Sequence, residues 1–175
     1  MRKDTLTLKI VKLAIFLSIG IVLNIIESFI PLPIPLPGIK LGIANTIGLI
    51  VLYYYSIKEY LLLGFLRVII VGLLRTGIGS IAFMLSLSGW LLSSLFTILI
   101  YKLTNVSIYG LSITSSIFHQ FGQIIMIIFI YKMLAMINYL PFLMCCGFIS
   151  GILVAIISKT VIVQLNKIFK LSIEV

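Results

Sequence analysis

Charged residues are scarce in this chain of 175 residues. They make up 10% of it, against about 25% in soluble globular proteins, whereas 62% of its residues are apolar. A soluble domain of this size needs far more polar side chains to cover its surface. A disordered chain is excluded as well, because disorder requires low hydrophobicity and high charge. The composition therefore predicts an integral membrane protein.

Residues that commonly carry chemistry are equally rare. The 4 acidic residues lie far apart, so the chain offers neither a carboxylate pair for acid–base catalysis nor an aspartate-rich magnesium site. One histidine and the adjacent Cys145 and Cys146 supply neither a metal-ligand pattern nor a disulfide framework. No P-loop motif for a nucleotide is present. We therefore predict no catalytic residue, no metal and no cofactor, and a chain that is not an enzyme by itself.

Apolar segments dominate what remains. A helix that crosses the bilayer needs about 20 such residues, and the breaks between segments are polar or helix-breaking, the first being a run of four prolines. We predict an all-α protein, a single membrane domain over residues 1–175 that forms a bundle of six transmembrane helices. The spans lie near 11–30, 41–56, 58–75, 80–101, 107–131 and 136–158, with a proline-rich outer loop at 31–40.

Basic residues are distributed unevenly between the two ends of such a bundle. With six spans both termini share one side, which receives nine basic residues, while the other side receives three. Cytoplasmic loops carry such an excess of lysine and arginine. We expect a multi-pass protein of the cell (plasma) membrane with both termini in the cytoplasm. Because the basic residues are scattered at segment ends, the lipid bilayer is the expected partner and a nucleic acid is not.

Small residues recur at helical spacing within two spans. Such stripes let helices approach closely in lipid, so they predict packing seams inside the bundle. On the fourth span they are Ala82, Ser86, Gly89, Ser93 and Thr97, and on the sixth Gly147, Gly151 and Ala155.

Strongly polar side chains inside the spans concentrate in the outer half of the membrane. A charge at the centre of a span costs about 2.5–3.5 kcal/mol on insertion scales, so such residues tend to mark function. Arg67 lies near the middle of the third span and is too deep to reach the interface easily. An outward-facing pocket lined by these groups suits an anionic ligand. The predicted ligand-binding residues are Lys40, Asn45, Arg67, Arg75, His119 and Gln123.

Structural roles for the same residues remain open at this stage. His119 can serve as a hydrogen-bonding group between helices, and Arg75 can extend to the membrane interface without touching a ligand. Glu27 can be the counter-ion of Arg67 or of Arg75, in a purely structural ion pair. The proline run favours an extended polyproline path, which suits either a stiff lid over the ligand or a rigid outer connector. Its prolines are Pro31, Pro33, Pro35 and Pro37.

Several stretches together resemble one known family. Residues 27–33 (ESFIPLP) and 37–45 (PGIKLGIAN) resemble the signature of the Gx transporter family, also catalogued as the membrane-type heptaprenyl diphosphate synthase component I. Residues 66–68 (LRV) and 119–123 (HQFGQ) fit the same pattern, with Gln120 where the family carries asparagine. The similarity covers essentially the whole chain.

This resemblance implies an S-component-like bundle, as in energy-coupling factor (ECF) transporters. S components bind a substrate near the outer face and pair with a transmembrane T component and two ATPases. They commonly dock on the T component through small residues of the first helix, which are Ala14 and Ser18 here. The implied function is the capture of a small, anionic, partly apolar ligand from the outer face.

The second family name implies an alternative function. The chain would then be a non-catalytic membrane subunit associated with polyprenyl (heptaprenyl) diphosphate or quinone biosynthesis. Prenyl transfer requires aspartate-rich motifs that hold magnesium, and the chain has one aspartate, Asp4, so such a role is accessory. A scaffold for a membrane redox or quinone-related assembly is a third interpretation. The sequence leaves the identity of the ligand open.

Overall fold

The computed structural model describes residues 6–29 and 42–169 of the chain. Their regular secondary structure is helical throughout. The six α-helices are α1 (Leu6–Glu27), α2 (Asn45–Tyr54), α3 (Ile57–Val71), α4 (Ile81–Leu103), α5 (Ile108–Tyr131) and α6 (Leu140–Phe169). A π-helical turn, Gly72–Thr76, continues α3, and a 3₁₀-helix, Leu134–Tyr139, precedes α6. The predicted proline-rich loop at 31–40 lies outside the described residues.

The length and composition of these helices confirm an all-α membrane protein. Four of the described segments are long and apolar enough to cross a bilayer, namely Leu6–Glu27, Ile81–Leu103, Ile108–Tyr131 and Leu134–Ile168. α2 is apolar but has only 10 residues, which at about 1.5 Å per residue is half of what a bilayer crossing requires. α3 has 15 residues before its π-helical turn. Six spans with an S-component-like arrangement therefore stay a prediction.

Local signals explain where several helices begin and end. Ser56 and Ser80 are N-caps, and their hydroxyls accept hydrogen bonds from the N–H groups of Lys58 (3.2 Å) and Phe83 (3.1 Å). Lys132 takes a φ of 53° and ends α5, since this left-handed conformation cannot continue the helix. The serine caps thus define where α3 begins after α2 and where α4 begins after the π-helical turn.

α6 is longer than the sequence indicated. The span predicted near 136–158 ends before Lys159, whereas the helix continues to Phe169. The ammonium group of Lys159 lies 5.4 Å from the centroid of the Tyr109 ring. A long basic side chain can reach such a position while its backbone stays helical, so a lysine at this depth does not end the helix.

The bundle is built around α2. α4 packs along α5 and α5 along α6, while α2 lies against α1, α3, α5 and α6. α1 contacts only α2 and α3 among the described helices, and much of its surface is exposed. The ends of α2 and α6 lie at the same end of the bundle, where Tyr54 at the end of α2 donates a hydrogen bond to Asn166 near the end of α6 (2.8 Å). Lys9 and Glu59, near the starts of α1 and α3, form an ion pair at this same end.

The predicted packing seams are confirmed. A Cβ atom added to Gly122 would lie 2.4 Å from the backbone oxygen of Ser88, and one added to Gly151 would lie 2.7 Å from the Cα atom of Ile113. Ser93, Thr97 and Ala155 are almost fully buried. α5 therefore approaches α4 on one side and α6 on the other at backbone distance.

Candidate functional site

Arg67 lies buried inside the bundle on the inner face of α3. Its side chain is 6% exposed. The guanidinium group donates hydrogen bonds to the backbone oxygen of Ala44 and to Oδ1 of Asn45, the latter at 3.0 Å. Its Nε atom has no hydrogen-bond partner among the described residues. The positive charge is thus held at the start of α2 by two uncharged acceptors.

Glu27, at the end of α1, binds the other side of the same turn. Its carboxylate accepts hydrogen bonds from the N–H groups of Gly42 and Ala44, the latter at 3.4 Å. A carboxylate at the N-terminus of a helix compensates both the unpaired N–H groups and the positive end of the helix dipole. Gly42 has a φ of +92°, which a side chain would strain. Glu27 therefore caps the turn that leads into α2.

Glu27 and Arg67 are connected through this turn. The Glu27 carboxylate accepts hydrogen bonds from the N–H groups of Gly42 and Ala44. The Arg67 guanidinium group donates hydrogen bonds to the backbone oxygen of Ala44 and to the side chain of Asn45. The ion pair found among the described residues joins Lys9 and Glu59. The structure thus brings Glu27 and Arg67 to opposite sides of one short segment and does not pair them directly.

His119 packs against the same turn from α5. A Cβ atom added to Gly89 on α4 would lie 2.7 Å from Cε1 of the imidazole, and one on Gly42 would lie 4.0 Å from its Cδ2. The Nε2 atom lies 3.2 Å from the side-chain nitrogen of Gln123. A glycine on α4 thus makes the space that the histidine occupies.

A small cavity lies where these groups meet, and five helices contribute to it. Its volume is about 10 Å³, close to the room that one water molecule needs. The structure brings together three of the predicted ligand-binding residues, Asn45, Arg67 and His119, and places Gln123 one helical turn further along α5. Its polar lining residues are Asn24, Glu27, Asn45, Arg67, Ser86 and His119.

Two of these residues were not predicted as part of the site. Asn24 precedes Glu27 by three residues, so both occupy one face of α1, and this spacing could have indicated it. Ser86 belongs to the small-residue stripe of α4 and was interpreted as packing alone. Both are buried. A serine that faces a cavity and one that faces a neighbouring helix have the same sequence pattern, so no signal separated the two roles.

Arg75 lies outside the cavity. It is exposed, its guanidinium carbon lies 4.9 Å from the centroid of the Phe29 ring, and it donates to the backbone oxygen of Ser28 at 3.5 Å. The prediction that Arg67 and Arg75 face one cavity assumed a regular α-helix between them. The π-helical turn Gly72–Thr76 breaks that periodicity and turns Arg75 away. Lys40 and the predicted lid prolines lie outside the described residues.

The predicted docking residues lie on an open surface of α1. Ala14 and Ser18 are both exposed, and the Ser18 hydroxyl donates to the backbone oxygen of Ala14 at 2.9 Å. Neighbouring apolar residues are exposed too, among them Ile15 (55%) and Val22 (54%). The surface is therefore available to lipid or to a partner helix, and a role in docking stays a prediction.

Comparison with protein-family models gives a match over residues 16–161. The family is described as heptaprenyl diphosphate synthase component I, and the match runs from α1 into α6. The chain belongs to this family. The resemblance to the Gx transporter family, noted from the motifs around Glu27 and Arg67, is thereby confirmed. The family description names one component of a synthase, which agrees with a chain that is not catalytic by itself. No curated protein and no solved structure matches the chain.

Proposed function

We propose that this protein is a substrate-binding membrane subunit, similar to an ECF S component, that captures a small anionic ligand with an apolar part. The observation that supports this proposal is the buried guanidinium group of Arg67. Its acceptors among the described residues are both uncharged, and its Nε atom has no partner there. A buried charge is costly unless it is paired. Glu27 compensates this charge from the other side of the turn without pairing with it directly, and an anion bound in the cavity would be its direct partner.

The cavity has to widen before it can admit a ligand, since about 10 Å³ holds one water molecule. α1 is the helix best suited to move, because it contacts only α2 and α3 in the described part of the chain and has few buried residues: Gly20, Asn24 and Glu27. An outward movement of α1 would carry Asn24 and Glu27 away from the turn at 42–45. The predicted roles of Lys40 and of the prolines as a lid belong to this proposal.

Orientation and partners follow from the distribution of charge. We propose that the end of the bundle with Lys9 and Lys167 faces the cytoplasm, in line with the excess of basic residues there. The cavity is formed by the end of α1 and the start of α2, and therefore lies toward the outer face. Because the chain lacks a nucleotide-binding motif, energised uptake would require a T component and ATPase subunits.

The family description favours a second candidate function. As component I of a heptaprenyl diphosphate synthase, the chain would bind a prenyl diphosphate for a catalytic partner. The same cavity would then hold the diphosphate group, since arginine binds phosphate oxygens well. The two functions differ in the partner. Affinity purification from the native membrane should recover a T component and ATPases in the first case and a prenyltransferase in the second.

Native mass spectrometry of the purified protein tests ligand binding directly. We expect a small anion to co-purify with the wild type. The anion should be lost from the Arg67→Gln variant, because this substitution removes the buried charge. Arg75→Gln is the matched control, since it removes an exposed arginine from the next part of the same helix. Retention of the same molecule by a folded Arg67→Gln variant would refute the proposed site.

A further inference from the structure

A wide apolar groove opens on the side of the bundle, between α3, α4 and α5. Its volume is about 460 Å³, far larger than the cavity at Arg67. The side chains at its rim are exposed on the surface of the bundle: Leu91 by 53%, Leu95 by 60% and Ile125 by 56%. Leu61, Leu92 and Ile98 are further apolar lining residues, and Ser88 and Ser94 also line the groove. A groove of this composition within the transmembrane region accommodates a hydrocarbon chain.

Trp90 separates this groove from Arg67. The indole is 8% exposed and lines the groove on one side. On its other side it lines a second cavity of about 20 Å³, together with Asn45, Gly64 and Arg67. Its Nε1 atom has no hydrogen-bond partner among the described residues. A buried tryptophan donor normally has a partner, so the indole presents an unused N–H group between the two cavities.

Aromatic side chains make the close contacts between α4 and the segment formed by α3 and its π-helical turn. A Cβ atom on Gly64 would lie 2.1 Å from Nε1 of Trp90, and one on Gly72 would lie 2.5 Å from Cδ2 of Phe83. At both places an aromatic side chain of α4 fills the space over a glycine. α4 and α5 also meet through a ring, that of His119 over Gly89, but Gly122 of α5 in addition faces backbone atoms of α4. α3 and α4 can therefore separate by rotation of side chains, whereas α4 and α5 cannot.

We propose that the ligand is an amphipathic anion with a long hydrocarbon chain, and that Trp90 is the gate through which this chain passes from Arg67 into the lateral groove. The inference rests on the proposed function, since it places the anionic head group at Arg67. The chain lies beside Trp90 between α3 and α4 and continues along Leu91 and Leu95. The indole N–H donates to an oxygen of the head group. Isoprenoid and straight acyl chains share this chemistry.

Binding of three probes to the purified full chain tests the inference. Farnesyl diphosphate and dodecyl phosphate carry an anionic head and a branched or a straight chain, and inorganic pyrophosphate carries the head alone. Leu95→Trp fills the groove at an exposed position. Leu99→Trp is the matched control, one turn further along the same helix, exposed by 47% and outside the groove. Arg67→Gln removes the head-group site.

We expect Leu95→Trp to weaken binding of at least one amphiphile by about tenfold or more, because the added ring displaces several methylene groups of the chain. Pyrophosphate binding should not change in this variant, and Leu99→Trp should behave as the wild type. Which amphiphile responds identifies the chain as isoprenoid or acyl. Trp90→Ala should raise both the association and the dissociation rate constants of that amphiphile, because it removes the gate.

The possible failures are distinguishable. The proposal of the lateral groove fails if Leu95→Trp and Leu99→Trp have equal effects, or if the amphiphiles bind no more tightly than pyrophosphate. The head-group site stands in that case if Arg67→Gln still abolishes pyrophosphate binding. If the wild type binds none of the three probes, or if Arg67→Gln binds all of them normally, the proposed function fails together with this inference.

Discussion

At the scale of single residues, a positive charge is held inside the membrane by one short turn. Arg67 contacts the carbonyl side of residues 44–45, and Glu27 contacts the N–H side of residues 42–44. The two charges thus stabilise the start of α2 from opposite sides. Each depends on the other, because removal of one leaves the other buried beside an uncompensated backbone dipole.

A double-mutant cycle measures this dependence. We expect Glu27→Gln and Arg67→Gln each to lower the free energy of unfolding by about 1–3 kcal/mol, the usual cost of an unsatisfied buried group. The double variant should lose less than the sum, with a coupling of about 0.5–3 kcal/mol. Thermal or denaturant unfolding of the detergent-solubilised protein gives these values. Additive losses would show that the turn does not couple the two side chains.

Glycines in contact with the site make a second residue-scale prediction. A methyl group on Gly89 would meet three atoms of the His119 ring at 2.7–3.0 Å. Gly89→Ala should therefore destabilise the protein by about 1–3 kcal/mol through overpacking. Gly20→Ala is the control, because its nearest contact, Cδ of Arg67, lies at an ordinary 3.5 Å. Alanine favours helix by about 1 kcal/mol over glycine, so this variant should be neutral or more stable. The same loss in both variants would contradict the structure.

At the scale of secondary-structure elements, the helices are joined by two kinds of contact. α5 meets α4 and α6 at backbone distance over glycines, whereas α3 meets α4 through aromatic rings placed over glycines. Backbone contacts tolerate little change in shape, while rings can rotate. We therefore expect α4, α5 and α6 to behave as a rigid unit and the α3–α4 boundary to open.

Two glycines on α6 test the rigidity of this unit. A Cβ atom on Gly151 would lie 2.7 Å from the Cα atom of Ile113, whereas one on Gly147 would have no contact closer than 3.2 Å. Gly151→Ala should lower the free energy of unfolding by about 1–3 kcal/mol, because backbone has to move. Gly147→Ala should cost less, because its two nearest contacts, the Gln120 side chain and the backbone oxygen of Ser116, both lie at 3.2 Å and need to shift by only a few tenths of an ångström. The thermal unfolding midpoints of the two variants measure this difference. A larger loss of stability in Gly147→Ala than in Gly151→Ala would contradict the described contact between α5 and α6.

At the scale of the whole molecule, the alternating helices bring both ends of the described chain to one end of the bundle. The ion pair of Lys9 with Glu59 and the hydrogen bond of Tyr54 with Asn166 lie there. Lys132 lies at the opposite end, after α5. The cavity at Arg67 is closer to this second end. Orientation in the membrane therefore decides the side from which a ligand enters.

Labelling with a membrane-impermeant maleimide tests the orientation. Cys145 and Cys146 are replaced by serine, and single cysteines are introduced at Lys132 and Lys102. We expect labelling of the Lys132 site in intact cells and of the Lys102 site only after permeabilisation, because the more basic end remains in the cytoplasm. Labelling of Lys102 from outside would reverse the proposed entry side.

The amino-acid sequence by itself determined the class of the protein and three residues of its candidate site. In lipid, an apolar segment has to satisfy its backbone hydrogen bonds internally, and a helix does so within the segment. The polar residues inside these segments are so few that each can be considered individually. Asn45, Arg67 and His119 could be predicted for this reason, and they meet at one cavity. The motifs around the same residues gave the resemblance to the family, which the match over residues 16–161 confirms.

The tertiary structure decided what those residues contact. Arg67 and Arg75 were predicted to line one pocket, but the π-helical turn at Gly72–Thr76 directs Arg75 away from it. The opposite charges of Glu27 and Arg67 suggest an ion pair from the sequence. The folded chain instead places a backbone turn between the two side chains. The groove beside Trp90 has no sequence pattern, because it is the space left between three helices. Periodicity describes one helix at a time, whereas these features depend on how far apart the helices lie.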